Sequence, residues 1–308
     1  MRVAVVGTGG IGAPYGASLA KAGVDVTFVA RGPHLAAIRE NGLWVEGDRG
    51  ETHIWPARAT DDTTAIGTVD FVLFCVKLWD VENVGALLRP VIGPETAVVP
   101  LQNGVDAHER LIPILGHEAV MGGTAYVTGN IASPGVIRQT GTYQRMTFGE
   151  LDGRLSQRGQ QLSALCETAG FEGVFSPDIR VPLWEKFNLL VPTAGLNALT
   201  RLPLGKWRED SDLLALYEAA LQETVAVGRA EGVRLPPDSA ENASATMWSM
   251  PPYLMTSMGT DLLRGNRLEL PWLTGKVVEL GRRHRIPTPV NGFIYAALKP
   301  YINGPPIF

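Results

Sequence analysis

The sequence predicts an α/β domain built on a parallel sheet, followed by an all-α domain. In the first half, short runs rich in β-branched residues alternate with helical stretches, as in parallel strands joined by crossover helices. In the second half, the apolar periodicity is helical almost throughout. A chain of 308 residues is long enough for two domains. We expect them to span residues 1–176 and 177–308.

The strand predictions come from β-branched runs in the first half: Arg2–Val6, Val24–Ala30, Phe71–Val76 and Thr96–Leu101. Between Glu118 and Gly149, extended segments broken by glycine and proline suggest hairpins added to one edge of the same sheet. A helix follows at Ser156–Ala169. The segment Phe175–Pro182 holds two prolines and is the predicted linker.

The helix predictions of the second half rest on apolar periodicity: Trp184–Leu199, Leu213–Glu231, Ser239–Ser249 and Leu268–Arg285. Proline pairs separate several of these segments. Residues 286–289 divide the last long helix from a short one.

Composition excludes several functional classes. A net charge of -4 provides no basic field for nucleic acid, and no apolar run is long enough to cross a membrane. The chain opens on the strand-like MRVAVVG without a charged leader, so we expect a cytoplasmic protein. Cys75 and Cys166 lie in apolar runs and are expected to be buried. The histidines lack metal-ligand spacing, so we expect no metal site.

A glycine-rich loop carries the first functional signal. Gly7, Thr8, Gly9, Gly10, Ile11 and Gly12 give the pattern G-x-G-x-x-G between the first strand and a helical stretch. Gly7 permits a tight turn, Gly9 allows a pyrophosphate to approach backbone amides, and Gly12 allows close packing of helix on strand. The pattern predicts a Rossmann-type dinucleotide-binding domain. The alternative is an ordinary turn in another α/β protein.

The residue after the second strand bears on the choice of cofactor. Enzymes that use NAD usually carry an acidic residue there to bind the ribose 2′-hydroxyl. This chain has Arg31, whose guanidinium can bind a 2′-phosphate. The sequence therefore favours NADP(H), unless Arg31 is a solvated surface charge.

Lys186 interrupts a long apolar segment just after the linker. Such a lysine often extends its ammonium to water. A helix that opens the second domain is also expected to face the cleft where ligands of this architecture bind, and desolvation there lowers a lysine pKa. Lys186 is therefore a candidate proton donor to a carbonyl oxygen.

These residues belong to a set of segments that resembles the ketopantoate reductase (2-dehydropantoate 2-reductase) family along nearly the whole chain. The matching segments are Gly7 to Gly12, Arg31-Gly32, Asn41-Gly42-Leu43, Cys75-Val76-Lys77, Leu101-Gln102-Asn103-Gly104-Val105, Trp184-Glu185-Lys186, and Ser257-Met258 with Asp261 and Glu269.

The resemblance implies a Rossmann-type domain, an all-α domain like the C-terminal domain of 6-phosphogluconate dehydrogenase, and a homodimer. It implies NADPH-dependent reduction of a 2-oxo acid to a 2-hydroxy acid. It also assigns roles: Lys186 as proton donor, Asn103 as a contact of nicotinamide and substrate, Lys77 as a cation beside the cofactor, Ser257 as a ligand of the substrate carboxylate, and Glu269 as a cofactor contact near the lysine.

Each role has a structural alternative. Asn103 with Gly104 could form a plain turn, and Lys77 could be a solvated charge at a strand end. Ser257 could cap a helix, and Glu269 could be an exposed charge at a helix start.

Two positions depart from the family pattern. Ketopantoate-specific members carry asparagines four and eight residues after the lysine, where this chain has Leu190 and Ala194. Loss of two such hydrogen-bonding partners costs a polar substrate on the order of several kcal/mol. We therefore predict a more apolar substrate pocket, suited to a 2-oxo acid with an aliphatic or aromatic side chain, as related D-mandelate dehydrogenases accept. Five large side chains are candidates to line it or to pack in the core: Trp248, Met250, Tyr253, Met255 and Met258.

The predicted helix around Lys186 holds two further notable residues. Asn188 is offset from Lys186 to another side of the helix, and Pro192 is expected to kink the segment.

Three functional hypotheses remain open at this point. The first is a 2-oxo acid reductase with an altered pocket, and the second is a genuine 2-dehydropantoate 2-reductase of pantothenate synthesis. The third is an NADP(H)-binding sensor without turnover, which would have no need of the proton donor Lys186.

Overall fold

The computed structural model describes residues 1–306. The chain divides into two compact units between Ile179 and Arg180. The first unit is α/β with a parallel sheet and the second, within residues 180–306, is helical, which confirms the predicted fold class. The division falls slightly later than the expected boundary between residues 176 and 177. No described helix combines the length and hydropathy needed to cross a bilayer.

The first sheet of the α/β unit is parallel and runs in the order β5-β2-β1-β6-β7. Its strands are β1 (Arg2–Val6), β2 (Asp25–Val29), β5 (Ala59–Thr60), β6 (Phe71–Phe74) and β7 (Ala97–Pro100). β6 and β7 are buried along their whole length, as expected for a parallel sheet covered on both faces. The predicted strands therefore form the centre of this sheet.

A second sheet, in the order β10-β9-β3-β4 with β8 paired to β9, was not anticipated. Its strands are β3 (Leu43–Gly47), β4 (Thr52–Ile54), β8 (Gly122–Ser133), β9 (Val136–Gly149) and β10 (Glu172–Phe175). The prediction that the hairpin extends the first sheet is wrong. The first residues of β9 pair with β3 and its last residues pair with β10. β9 is therefore long enough to bind two strands in succession along one edge.

Helices cover the sheets of the first unit: α1 (Gly12–Lys21), α2 (Gly32–Asn41), α3 (Val81–Leu87), α4 (Ala107–Leu115) and α5 (Gln157–Thr168). α5 confirms the predicted helix at Ser156–Ala169, and Ser156 caps it by accepting a hydrogen bond from the Gly159 N–H at 3.1 Å.

The predicted linker Phe175–Pro182 is shorter than expected. Phe175 belongs to β10, and the first helix of the second unit, α6 (Arg180–Thr200), begins before Pro182. A proline in the first helical turn is tolerated because the N–H groups of that turn have no partner within the helix. Pro182 therefore does not mark a break.

The second unit is built around α6, which packs against α8, α9, α10 and α12. The other helices are α7 (Leu204–Trp207), α8 (Ser211–Ala230), α9 (Ser239–Ser249), α10 (Ser257–Leu263), α11 (Thr274–His284) and α12 (Pro289–Leu298). Residues 191–198 of α6 are all buried, so this part of the helix is covered on every side and lies in the core of the unit.

The predicted helix Leu268–Arg285 is wrong in its first part. Leu270–Trp272 forms a 3-10 turn, and α11 starts only at Thr274. Pro271 lies in the turn, and a proline inside an α-helix lacks the N–H of one helical bond and clashes with the preceding turn. Glu269 consequently lies in a turn before the helix.

Candidate active site

The parallel sheet brings several of the predicted site residues to one edge of the first unit. β2, β1, β6 and β7 are neighbours in the sheet, and their carboxyl ends point the same way. Each is followed by a predicted site residue: Gly7 after β1, Arg31 after β2, Lys77 after β6 and Asn103 after β7. Ligands of open α/β sheets bind outside this edge.

The glycine-rich loop has the close packing that its sequence predicts. Gly7 adopts φ +93°, and a Cβ at that position would lie 2.8 Å from the carbonyl carbon of Cys75. A Cβ on Gly12 would lie 2.4 Å from the Gly7 carbonyl oxygen. A Cβ on Gly9, by contrast, would meet no described atom within 4 Å beyond its chain neighbours. The loop is therefore packed at its two ends and open at Gly9.

This open segment fits a dinucleotide pyrophosphate. α1 begins at Gly12, and its first turn holds no acidic side chain. The N-terminus of a helix carries partial positive charge and exposed N–H groups, which favour an anion. The N-terminus of α1 and the open position at Gly9 thus offer an anion donors on this side of the loop.

Gly10 makes a contact that the sequence does not reveal. A Cβ on Gly10 would lie 2.0 Å from the carbonyl oxygen of Gly129 in β8. The backbone of the glycine-rich loop thus packs directly on the β8–β9 hairpin, and Gly10 is required for packing within the protein.

Arg31 follows β2 with an exposed side chain and forms an ion pair with Asp80 at 3.2 Å between Nη2 and Oδ2. Its guanidinium is 81% exposed, so water competes with Asp80 for its donors. Asp80 was not expected from the sequence. The pair places the Arg31 guanidinium at the sheet edge, in contact with solvent.

Lys77 and Asn103 occupy the other half of the edge. Lys77 is exposed, and its ammonium lies 5.5 Å from the ring centroid of Trp79, within range of a cation–π interaction. Asn103 is half-buried in a bend between β7 and α4. The neighbouring Gln102 is buried and donates a hydrogen bond to the Phe74 carbonyl oxygen at 2.9 Å, which ties the bend to β6.

Lys186 lies in the second turn of α6 and is half-buried. Burial lowers the pKa of Lys186 to about 8, because desolvation disfavours the ammonium, and the charge of Glu269 opposes this shift. The side chain of Glu269 is only 7% exposed. The helical unit therefore brings two predicted site residues from distant parts of the sequence into electrostatic contact.

Glu269 is not an exposed charge at a helix start, and Ser257 is not a helix cap. Glu269 is buried in a turn, so it is not an exposed charge at a helix start. Thr256 is the residue that caps α10, since its side chain accepts a hydrogen bond from the Gly259 N–H at 3.3 Å. Ser257 is exposed at the first position of α10 and does not cap that helix.

Leu190 and Ala194 lie on the same face of α6 as Lys186, since residues four and eight apart align along a helix. Leu190 is half-buried and Ala194 is 1% exposed. α6 continues through Pro192, which provides no N–H for the Asn188 carbonyl oxygen one turn earlier. Asn188 is fully buried, and neither polar atom of its amide has a hydrogen-bond partner among the described residues.

The five large side chains of the second unit have different surroundings. Met258 is buried in the core, whereas Tyr253 is 77% exposed and Trp248 is 46% exposed. Arg208 lies over the Trp248 ring at 5.2 Å from its centroid. Met258 therefore packs in the core, whereas the side chains of Tyr253 and Trp248 do not.

Cys166 is buried, as the sequence predicts, whereas Cys75 is only half-buried. Both cysteines resist ionisation. Burial raises the pKa of Cys166 to about 12 and raises that of Cys75 well above its ordinary value. Neither thiol is a nucleophile at neutral pH.

Sequence reasoning missed one further residue at the sheet edge. His34 in α2 lies 2.7 Å through Nε2 from the Thr8 carbonyl oxygen in the glycine-rich loop. It follows Arg31 by less than one helical turn, but no spacing rule links a histidine at this position to the loop. Only the folded arrangement of β1 and α2 reveals the contact.

Comparison with known families gives matches to both units. Residues 3–153 match the family model described as Ketopantoate reductase PanE/ApbA, and residues 178–302 match Ketopantoate reductase PanE/ApbA C terminal.

Individual relatives cover the chain nearly completely. The 2-dehydropantoate 2-reductase of Mesorhizobium japonicum is 30% identical, over 97% of this chain and 97% of its own. The crystal structure of a PanE/ApbA family ketopantoate reductase from Ralstonia eutropha is 32% identical with a TM-score of 0.90, covering 98% of both chains. D-mandelate dehydrogenase in complex with NADH and anilino(oxo)acetate aligns with a TM-score of 0.89 at 19% identity, which shows a shared fold.

Proposed function

The chain belongs to the ketopantoate reductase family of oxidoreductases, which use a nicotinamide cofactor, and we propose that it reduces a 2-oxo acid to a 2-hydroxy acid with NADPH. The observation that carries this proposal is the partly desolvated Lys186, whose pKa lies at about 8 beside the buried Glu269. An amine in this range is protonated at neutral pH and can still release its proton.

The cofactor preference rests on the edge of the parallel sheet. The open segment at Gly9 and the N-terminus of α1 suit the pyrophosphate. Arg31 presents an exposed guanidinium after β2, where a 2′-phosphate would be bound, and no acidic residue occupies that position. These features support NADPH over NADH.

The proposed proton transfer uses groups of the helical unit. A nicotinamide cofactor bound at the sheet edge would supply the hydride for the carbonyl carbon of the substrate. Lys186 donates a proton to the carbonyl oxygen, so that the alcohol forms and the amine is left neutral. Glu269 favours the ammonium form of Lys186 before the transfer, since its charge raises the lysine pKa. We assign Asn103 to nicotinamide and substrate, Lys77 to the cofactor and Ser257 to the substrate carboxylate.

The substrate class follows from Leu190 and Ala194. Neither side chain can hydrogen-bond a polar substituent, so this face of α6 suits a 2-oxo acid with an aliphatic or aromatic side chain. A second candidate substrate is 2-dehydropantoate itself, which the similarity to the Mesorhizobium japonicum enzyme favours.

We also propose a homodimer, and light scattering of the purified protein would measure its mass.

The direct test is NADPH oxidation by the purified protein across a panel of 2-oxo acids of varied side chain, 2-dehydropantoate included. We expect turnover that is highest with an apolar side chain. If 2-dehydropantoate has the highest kcat/KM of the panel, the second candidate replaces the first. Tight NADPH binding without reduction of any panel member would point to a cofactor-binding sensor.

A further inference from the structure

His34 bridges two segments of the first unit through both ring nitrogens. Its Nε2 lies 2.7 Å from the Thr8 carbonyl oxygen, and its Nδ1 lies 3.0 Å from the backbone nitrogen of Gly135. Thr8 belongs to the glycine-rich loop, and Gly135 lies at the turn between β8 and β9. The side chain is half-buried between them.

These two partners determine where the histidine proton lies. The Gly135 N–H is a donor, so Nδ1 must provide a lone pair. The Thr8 carbonyl oxygen is an acceptor, so Nε2 must carry the hydrogen. Only the neutral ring with its proton on Nε2 satisfies both. Burial lowers the pKa of His34, and the bond to Thr8 opposes the shift, so the neutral form is favoured.

Thr8 is held at three points. Its backbone N–H and its hydroxyl both donate to the Val29 carbonyl oxygen, at 3.3 Å and 3.0 Å, and its own carbonyl oxygen accepts from His34. The orientation of the peptide that joins Thr8 to Gly9 is therefore fixed by side chains and by β2.

This orientation determines the direction of a donor in the open segment. In a trans peptide the C=O and the following N–H point to opposite sides. Because the Thr8 carbonyl oxygen points to His34, the Gly9 N–H points away from His34. Gly9 is also the residue at which an added Cβ would meet open space. A backbone N–H held in this way is the type of donor that binds a pyrophosphate.

The hairpin supports the histidine from the other side. Gly135 has φ +79°, and a Cβ there would lie 3.1 Å from the Cβ of Ala37 in α2. Together with the contact between Gly10 and Gly129, this arrangement joins the hairpin to the loop at two places.

We propose that His34 is a positioning residue for the dinucleotide: its Nε2–H bond to the Thr8 carbonyl oxygen orients the Gly9 N–H toward the pyrophosphate. This proposal rests on the proposed function only in requiring a bound nicotinamide dinucleotide. It does not depend on the substrate or on Lys186.

Two amide substitutions separate the two hydrogen bonds of His34. In His34→Gln the amide nitrogen can occupy the place of Nε2 and donate to Thr8, whereas in His34→Asn the shorter side chain can accept from Gly135 but cannot reach Thr8. We expect His34→Gln to bind NADPH within about threefold of wild type and His34→Asn to bind about tenfold more weakly, the effect of one lost hydrogen bond.

The measurement is a direct fluorescence titration of NADPH and of NADH, accompanied by thermal unfolding of the ligand-free proteins. His53→Asn is a matched control, because His53 also bonds a backbone carbonyl oxygen, that of Asn41 at 2.9 Å, which lies at the end of α2 and not in the glycine-rich loop. It should bind NADPH as wild type does.

The positioning role is overturned if His34→Asn binds the dinucleotide as tightly as His34→Gln, or if both lose affinity in proportion to their loss of thermal stability. Wild-type protein that binds NADH but not NADPH would contradict the proposed cofactor alone, and the His34 variants would then be judged with NADH. Wild-type protein that binds neither dinucleotide would overturn both proposals.

Discussion

Glu269 and Lys186 lie in different segments of the helical unit, yet the charge of the buried Glu269 acts on the ammonium of Lys186. Burial of Lys186 and the Glu269 charge work in opposite directions, and the result is a lysine pKa of about 8. The protonation state of the proposed proton donor thus depends on both residues.

Substitution of Lys186 by alanine tests the proposed proton donor. We expect kcat with the best 2-oxo acid to fall at least about a hundredfold, the usual contribution of a general acid. NADPH affinity, measured by fluorescence titration, should change little. Lys206→Ala, on α7 in the same unit, is the control and should keep full turnover. Near-normal kcat in Lys186→Ala would remove this residue from the mechanism.

Substitution of Glu269 by glutamine should shift the pH profile. The carboxylate raises the pKa of Lys186, so its removal lowers that pKa below about 8. Because the proton donor must be protonated, activity is present below the lysine pKa and is lost above it. The loss of kcat at alkaline pH should therefore begin at lower pH in Glu269→Gln than in wild type.

Glu279→Gln is the matched control for this shift. Glu279 is in the same unit but forms its ion pairs with Lys276 and Arg283. Its profile should coincide with that of wild type. An unchanged profile in Glu269→Gln, or a shift to higher pH, would contradict the coupling between Glu269 and Lys186.

Substitution of Arg31 by alanine tests the cofactor preference. Loss of charge-assisted hydrogen bonds to a 2′-phosphate should weaken NADPH binding about tenfold or more, and NADH binding should hardly change. Asp80→Asn removes the partner of Arg31, and because the pair is exposed, NADPH affinity should change by less than about threefold. Equal losses for both dinucleotides in Arg31→Ala would exclude the 2′-phosphate role.

Alanine at Gly9 and at Gly10 should have different effects. At Gly10 the added methyl group would overlap the Gly129 carbonyl oxygen, so the free energy of unfolding should fall by about 1–3 kcal/mol. At Gly9 the methyl group meets open space, so stability should stay within about 0.5 kcal/mol of wild type while NADPH binding weakens. Urea unfolding and NADPH titration of both variants measure the two effects. Equal destabilisation of the variants would refute the difference.

The sequence predicts the fold class because hydrophobic period and glycine spacing are local properties. G-x-G-x-x-G after a strand already predicts a tight turn at Gly7 and close packing of a helix at Gly12. The partners of the β8–β9 hairpin depend instead on long-range pairing, and nothing in residues 118–149 specifies β3 or β10. The helix predicted from Leu268 does not form in its first part, because the apolar periodicity continues across Pro271 while the proline excludes an α-helix there.

The site residues also divide into those predictable from local sequence and those that depend on long-range contacts. Lys186 and Arg31 could be proposed from their local context, whereas Asp80 and His34 act through contacts that only the folded chain creates. The burial of Glu269 cannot be predicted from its sequence neighbours either, because it depends on the helices that pack around it.

The backbone contact between Gly10 and Gly129 also has a consequence for evolution and for the construction of chimeras. Neither position can gain a side chain unless the facing strand or loop moves, so each restricts the substitutions accepted at the other. A chimera that takes its nucleotide loop from one relative and its hairpin from another must inherit both glycines, or a compensating shift of the hairpin, in order to keep the two segments in register.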